Sequence, residues 1–463
     1  MGYTVRIPAR RGLERVRTVG RARNPGRRRA TVLLAATLLG GALTGCARGP
    51  EPLVQREVAA PATVDPAKPC VRQASAAPAE QPGATRTPVR AALVGGVIRV
   101  SGGTDVTLAA LSRTVRNPSA LKQTAPGEWL LGASLEVLPG ASVRLAAPDV
   151  TWLKVRSEAG SFATVKALGG GLALDGVCVT GWDPGARRAD TDQTDGRAFI
   201  LARDGARFTV DGSEIRYLGY STVESYGLAW RTGSTGHIRH SVVSHLHFGF
   251  YSYQTTGLVV ADNEFHDNTL YGIDPHTGSN KLVIERNVVH DNGKHGIILA
   301  EDCTDGVIRD NVVYRNAHHG IVLYQRSDRN VVEGNESFLN AAQGINVNEA
   351  ADNTVRNNRV YANGESGIGL GATASRNLVQ GNQVRANKQD GIRLVSEASE
   401  IKVRDNVIGE NARYGVYIDG GGPFDISANS IFASRVGVLL KNSDQRLGEN
   451  RIRDNADGDL VTR

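Results

Sequence analysis

Between residues 249 and 440 apolar and polar residues alternate in short runs, and the runs return on a fixed beat. Leu282-Val-Ile-Glu-Arg-Asn287 is followed by Val288-Val-His290, a polar turn at Asp291-Asn-Gly293, then Gly296-Ile-Ile-Leu299. Period-two alternation bounded by Gly, Asn and Asp predicts short β-strands joined by turns. Asparagines recur at Asn263, Asn287, Asn311, Asn335, Asn358, Asn382, Asn406 and Asn429, always 23 or 24 residues apart. A second series runs Asn268, Asn292, Asn316, Asn340, Asn363, Asn387 and Asn411. A glycine followed by an apolar residue keeps the same beat at Gly249, Gly272, Gly296, Gly320, Gly344, Gly367, Gly391, Gly415 and Gly437. Such a unit is too short for a propeller blade and lacks the leucine spacing of leucine-rich repeats. It predicts an all-β fold, a right-handed parallel β-helix of about a dozen coils from near residue 95 to near 450, in which each coil buries its apolar side on its neighbours. Stacked asparagines would bond to one another up the turns. Less regular coils are expected over 130–145, 150–165, 171–179, 199–210 and 213–220, and a C-terminal cap or frayed tail over 451–463.

Composition agrees. The chain has 54 glycines in 463 residues, and each glycine inside a helix costs about 1 kcal/mol against alanine. The formal charge of +7 is misleading, because residues 1–30 hold ten arginines and one acid, and the chain beyond them carries −2. No nucleic-acid partner is expected. The arginines precede an apolar run, Ala30–Leu43, too short to span a bilayer comfortably. Leu43-Thr-Gly-Cys46 then resembles a bacterial lipobox. The expected organisation is a lipoprotein signal peptide over 1–45 with lipidation at Cys46, a disordered tether over 46–90 and a β-helix domain with terminal caps over 91–463. The tether reading rests on eight of the 17 prolines falling within 47–90. The protein would be exported, monomeric and held at the membrane through its lipid alone. Cys70, Cys178 and Cys303 show no zinc spacing and are read as buried thiols or one disulfide pair plus a thiol. No metal or cofactor is expected; a structural calcium is compatible with such a fold but is not indicated by the sequence.

Function is expected where the repeat carries residues the fold does not need. With the apolar residue after each beat glycine facing the core, positions two and four after that glycine face outward. These pairs are Ala229 and Arg231, Tyr251 and Tyr253, Asp274 and His276, Ile298 and Ala300, Val322 and Tyr324, Asn346 and Asn348. Arg231, Tyr251, Tyr253, Asp274, His276 and Tyr324 would form one exposed stripe suited to an acidic polysaccharide lying across the coils.

Tyr271-Gly-Ile-Asp-Pro-His276 resembles the signature of the mannuronan C5-epimerases, which convert mannuronate to guluronate within alginate. The resemblance extends to Val179-Thr-Gly-Trp-Asp183, Ser213-Glu-Ile-Arg-Tyr-Leu-Gly-Tyr220, Glu224-Ser-Tyr-Gly227, Phe248-Gly-Phe-Tyr251 and His295-Gly-Ile-Ile298, and it points to the periplasmic, single-domain type. It implies that His276 is the catalytic base and Tyr271 the acid. Asp274 would orient the base or bind substrate, with Pro275 stiffening a turn between them. Substrate-binding roles fall to Tyr251, Tyr253, Lys294, His295, Arg231 and Tyr324. Inversion at C5 needs a base that titrates near neutrality and an offset for the charge developing on the substrate carboxylate.

Two positions depart from the family pattern. Thr277 stands where an acid commonly follows the histidine. Leu299-Ala-Glu301 stands where an arginine is credited with neutralising the carboxylate. Lys294 first, then Arg231, and also Lys281, are the candidate replacement cations. A polysaccharide lyase shares the proton-abstraction step and is the alternative reading. A non-catalytic carbohydrate-binding or accessory lipoprotein is the second alternative.

Overall fold

The computed structural model describes residues 55–58, 65–70, 88–395 and 397–463. The chain divides into two units, Met1–Glu57 and Val58–Arg463. In the first, only residues 55–57 are described, without regular structure. The signal segment, Cys46 and most of the 46–90 stretch lie outside the described residues.

The second unit is a parallel β-solenoid of about 14 turns. Each regular turn contributes three short strands, as in Ile273–His276, Val283–Glu285 and Val288–His290. Each strand pairs in parallel with its counterpart one turn on. Thus Val283 lies opposite Val307, and Val288 opposite Val312. Alternation sends every second side chain inward, so Ile273, Ile297, Leu299, Ile321, Leu323, Ile345 and Val347 form one continuous apolar core.

The asparagines hold the corners. The Asn287 main-chain N–H and its Nδ2 each donate to Asn311 Oδ1 at 3.0 Å, and Nδ2 also reaches Val260 O at 2.9 Å. The same pattern links Asn311 to Asn335 and, in the second series, Asn292 to Asn316. Buried main-chain donors that the turn removes from the ladder are satisfied in this way. A third series at another corner escapes the sequence pattern: Asn330, Asn353 and Asn377 accept main-chain N–H groups of the preceding coil. The glycine beat follows from crowding. A Cβ on Gly272 would meet Val289 Cγ1 at 2.4 Å and the Gly296 carbonyl at 2.7 Å.

An antiparallel strand pair, Arg90–Val94 with Val97–Val106, and the helix Leu108–Val115 close the N-terminal end. Thr107 caps the helix, and Leu108 and Leu111 are buried. At the other end, Arg451–Arg453 pairs with Ser430–Phe432 and Leu460–Thr462 with Val438–Leu440. The segment 451–463 therefore carries a further rung rather than fraying.

Two expectations change. Residues 65–70, placed in the tether by their prolines, lie on the solenoid: Cys70 forms a disulfide with Cys178, and the Ala189 N–H donates to Pro66 O. Cys303 is the buried free thiol. Pro275 lies inside the strand Ile273–His276 rather than in a turn. No helix among the described residues is long and apolar enough to cross a membrane.

Candidate functional site

Strand pairing brings the outward stripe together in register. Tyr251 lies opposite Ala229 and Asp274, and Tyr253 lies opposite Arg231 and His276. His276 is followed by Ala300 and then Tyr324. The stripe is not the open surface that alternation suggests. Tyr251 is 5% exposed and Asp274 only 1%, whereas Arg231, Tyr253, His276 and Tyr324 are half-buried. The cover comes from the residue before each beat glycine. Tyr226, Phe248, Tyr271, His295 and His319 stack with successive ring centroids 4.5, 5.1, 5.4 and 5.2 Å apart. This wall of rings flanks the stripe and packs on Tyr251 through Tyr226 and Phe248. The loop between Asp183 and Phe199 is tied to residues beside the wall: Gln193 donates to Thr269 Oγ1 at 2.7 Å and its Oε1 lies 3.0 Å from His247 Nδ1. The family resemblance marks Tyr271 and His295, but counting forward from each glycine misses Tyr226, Phe248 and His319 and the stacking that joins all five. The residue one step back, read in the same register, carries the signal.

His276 points away from the core, with its ring 6.0 Å from that of Tyr251. Its Nδ1 lies 2.7 Å from Thr277 Oγ1, which donates to Glu301 Oε2 at 2.9 Å. Burial lowers the imidazole pKa; Glu301 raises it, and Arg231 lowers it further. Beside it, neither oxygen of Asp274 has a hydrogen-bond partner. Burial pushes this carboxyl well above the usual range, opposed by Lys294 and reinforced by Glu301. Burial without a partner favours the protonated form of such an acid, which can donate a hydrogen bond.

Lys294 Nζ donates to the Tyr271 hydroxyl at 2.8 Å. Burial raises the pKa of that phenol, the Lys294 bond lowers it, and Asp274 raises it. Arg231 is held over the Tyr253 and Tyr251 rings at 4.5 and 5.6 Å and lies 3.9 Å from Glu224. Its Nη1 is buried without a partner. The charge of Lys294 acts on Asp274, and that of Arg231, two coils before, acts on His276. Lys281 is exposed at another corner, where its charge acts on Asp305.

His295 stacks on Tyr271. Burial first, then neighbouring cations and histidines, push its pKa down to about 2 and that of His319 to about 3. The ligand atoms of His295, His318 and His319 lie within 4.8 Å of one another. The donor set suits a metal poorly. Nδ1 of His295 accepts the His319 N–H at 3.3 Å and Nδ1 of His319 accepts the Gln343 N–H at 3.1 Å, so the proton of each neutral ring stays on Nε2.

The family model for a right-handed β-helix region matches residues 197–347 and 308–457. A mannuronan C5-epimerase of Pseudomonas fluorescens is 33% identical over 177 residues, covering 35% of this chain and 32% of the relative. The mannuronan C5-epimerase AlgG of Azotobacter vinelandii is 29% identical over a stretch of the same length and coverage. The matched stretch thus spans about a third of these relatives. The crystal structure of the periplasmic alginate epimerase AlgG superposes with a TM-score of 0.62 at 23% identity, over 79% of this chain and 85% of that one, a likeness of fold.

Proposed function

The chain belongs to the right-handed β-helix family, and we propose that on this scaffold it is a C5-epimerase of a uronate polymer, alginate or a close analogue. The observation that carries the reading is the half-buried imidazole and the buried, unpartnered carboxyl on one stripe, with a lysine-bound phenol in the wall beside them. The relatives named mannuronan C5-epimerase support the same chemistry.

His276 Nε2 takes the C5 proton. The electron pair left on C5 delocalises into the carboxylate, which gains negative charge. Asp274, as a neutral acid, donates to that carboxylate, while Arg231 and Lys294 offset its charge from the flanks. The Tyr271 hydroxyl returns a proton to the opposite face of C5, and Lys294 stabilises the phenolate that remains. Tyr253, one coil before His276, and Tyr324, two coils after it, extend the stripe and contact neighbouring sugars. The histidine ladder presents neutral Nε2–H donors along its edge.

The test is incubation with polymannuronate and with other polyuronates, followed by proton NMR. Guluronate signals, or the corresponding C5 epimer, without a 4,5-double bond support the reading. An unsaturated chain end means a lyase, and binding without turnover means an accessory protein.

The protein is exported and lipid-anchored at Cys46, and it acts as a monomer on a polysaccharide outside the cytoplasm. The lipobox-like Leu43-Thr-Gly-Cys46 supports this reading. Fatty-acid labelling that persists in Cys46→Ser argues against the anchor.

A further inference from the structure

Two departures from the epimerase pattern, Thr277 and Glu301, touch each other. They occupy the same position, five residues after the beat glycines Gly272 and Gly296, in adjacent coils. The chain turns the corner here. Glu301 has a φ of 61°, and Gln254, Gln325 and Glu349 take the same left-handed conformation at the equivalent point of their coils. That turn sends the Glu301 side chain back along the solenoid toward the preceding coil. Its carboxylate accepts from Thr277 Oγ1 at 2.9 Å, and Oγ1 lies 2.7 Å from His276 Nδ1.

A hydroxyl has one proton to give. With that proton committed to Glu301, Oγ1 faces Nδ1 with a lone pair, and the bond between them is made by a proton on Nδ1. The competing donor to Nδ1 is the Thr277 main-chain N–H, 3.0 Å away. That N–H already has a rung partner, the Ala300 carbonyl, at 2.9 Å. We infer that Glu301 and Thr277 form a relay that holds His276 as the Nδ1–H tautomer and leaves Nε2 unprotonated toward the groove. Thr277 and Glu301 are positioning residues, acting through His276.

This inference rests on the epimerase reading for its kinetic consequence, but the tautomer itself does not. It assigns the glutamate a role that the cation it replaces could not fill. A negative charge at the far end of the relay stabilises the imidazolium that forms when Nε2 takes the C5 proton, as a buried carboxylate does behind other catalytic histidines. The other groups facing the ring are Arg231, Tyr251 and Tyr253 from the two preceding coils and Asp274 on its own strand. Of the charges acting on the ring, Arg231 opposes the imidazolium and Glu301 favours it. Neutralisation of the substrate is left to Asp274, Lys294 and Arg231; the Glu301 charge acts on Asp274 only by favouring its protonated form.

The experiment has two arms on the full chain. In the first, nitrogen NMR of 15N-histidine-labelled protein, with His276→Gln to assign the ring, reads the tautomer. Nδ1–H in the native protein and its loss in Thr277→Val are expected. A native ring protonated at Nε2 overturns the relay. In the second, epimerisation of polymannuronate is followed across pH. Thr277→Val is expected to lower kcat about tenfold to a hundredfold with KM little changed, forfeiting part of what a well-placed base supplies. Thr277→Ser, which keeps the hydroxyl, is expected to restore most of it. Glu301→Gln is expected to move the acidic limb of the profile to lower pH. Unchanged kcat and pH profile in both Thr277→Val and Glu301→Gln overturn the relay. If the native protein turns over no uronate polymer, the epimerase reading fails and the tautomer alone decides the relay.

Discussion

Asp274 is the residue whose surroundings are hardest to justify by folding alone. A carboxyl at 1% exposure with both oxygens unpartnered costs stability, and its burial favours the protonated form. Its pKa is raised in the folded protein, so above its unfolded value of 3.8 the unfolded chain sheds a proton that the folded chain retains. Stability therefore falls as pH rises through that window up to the folded pKa. Asp274→Asn is expected to unfold at higher temperature than the native protein at pH 7, with the difference shrinking toward pH 4, while turnover drops about a hundredfold. Calorimetry across pH beside an activity assay checks both. The lowered pKa of His276 gives a second expectation. The acidic limb of kcat/KM lies below the ordinary 6.5, and Arg231→Ala, by removing a charge that opposes the imidazolium, shifts that limb upward. His276 and Asp274 were legible in the sequence because a six-residue signature marks them. Their burial was not, because alternation gives the direction of a side chain and says nothing of what lies over it. Glu301 was read as an intruder in the place of a cation. Its actual partner, Thr277, emerged only when two coils were laid side by side.

At the scale of the coil, the sequence was most readable where the structure is most repetitive. The two asparagine series and the glycine beat each correspond to a corner where crowding or an orphaned main-chain donor admits one residue type. The third series, from Asn330 to Asn377, spans too few coils to stand out as a period. Each buried asparagine serves two coils at once, so its removal leaves unpaired groups in both. Asn311→Ala strips the Asn287 N–H of its acceptor and the Ile284 carbonyl of a donor. It is expected to cost about 2–4 kcal/mol, read as a lower denaturant midpoint. His276→Ala, half-buried and outside the core cluster, is expected to cost about 1 kcal/mol or less. The contrast separates ladder from site: one substitution unfolds the coil, the other silences it.

For the whole molecule, the disulfide joins segments 108 residues apart and fixes residues 65–70 to the solenoid. Proline content suggested a free tether there, because composition does not reveal which cysteine finds a partner. Closing so long a loop stabilises by about 2–4 kcal/mol, and Cys70→Ser is expected to lower the unfolding midpoint accordingly without changing turnover. On the proposed function, a polymer lies along the half-buried stripe beside the aromatic wall and presents one uronate to His276. Solvent deuterium at C5 tests that most directly. Polymannuronate incubated with the native protein in deuterated water is expected to acquire deuterium at C5 with no new double bond, and His276→Gln, folded and equally stable, is expected to leave C5 protonated. Deuterium incorporated by His276→Gln at the native rate would contradict the account.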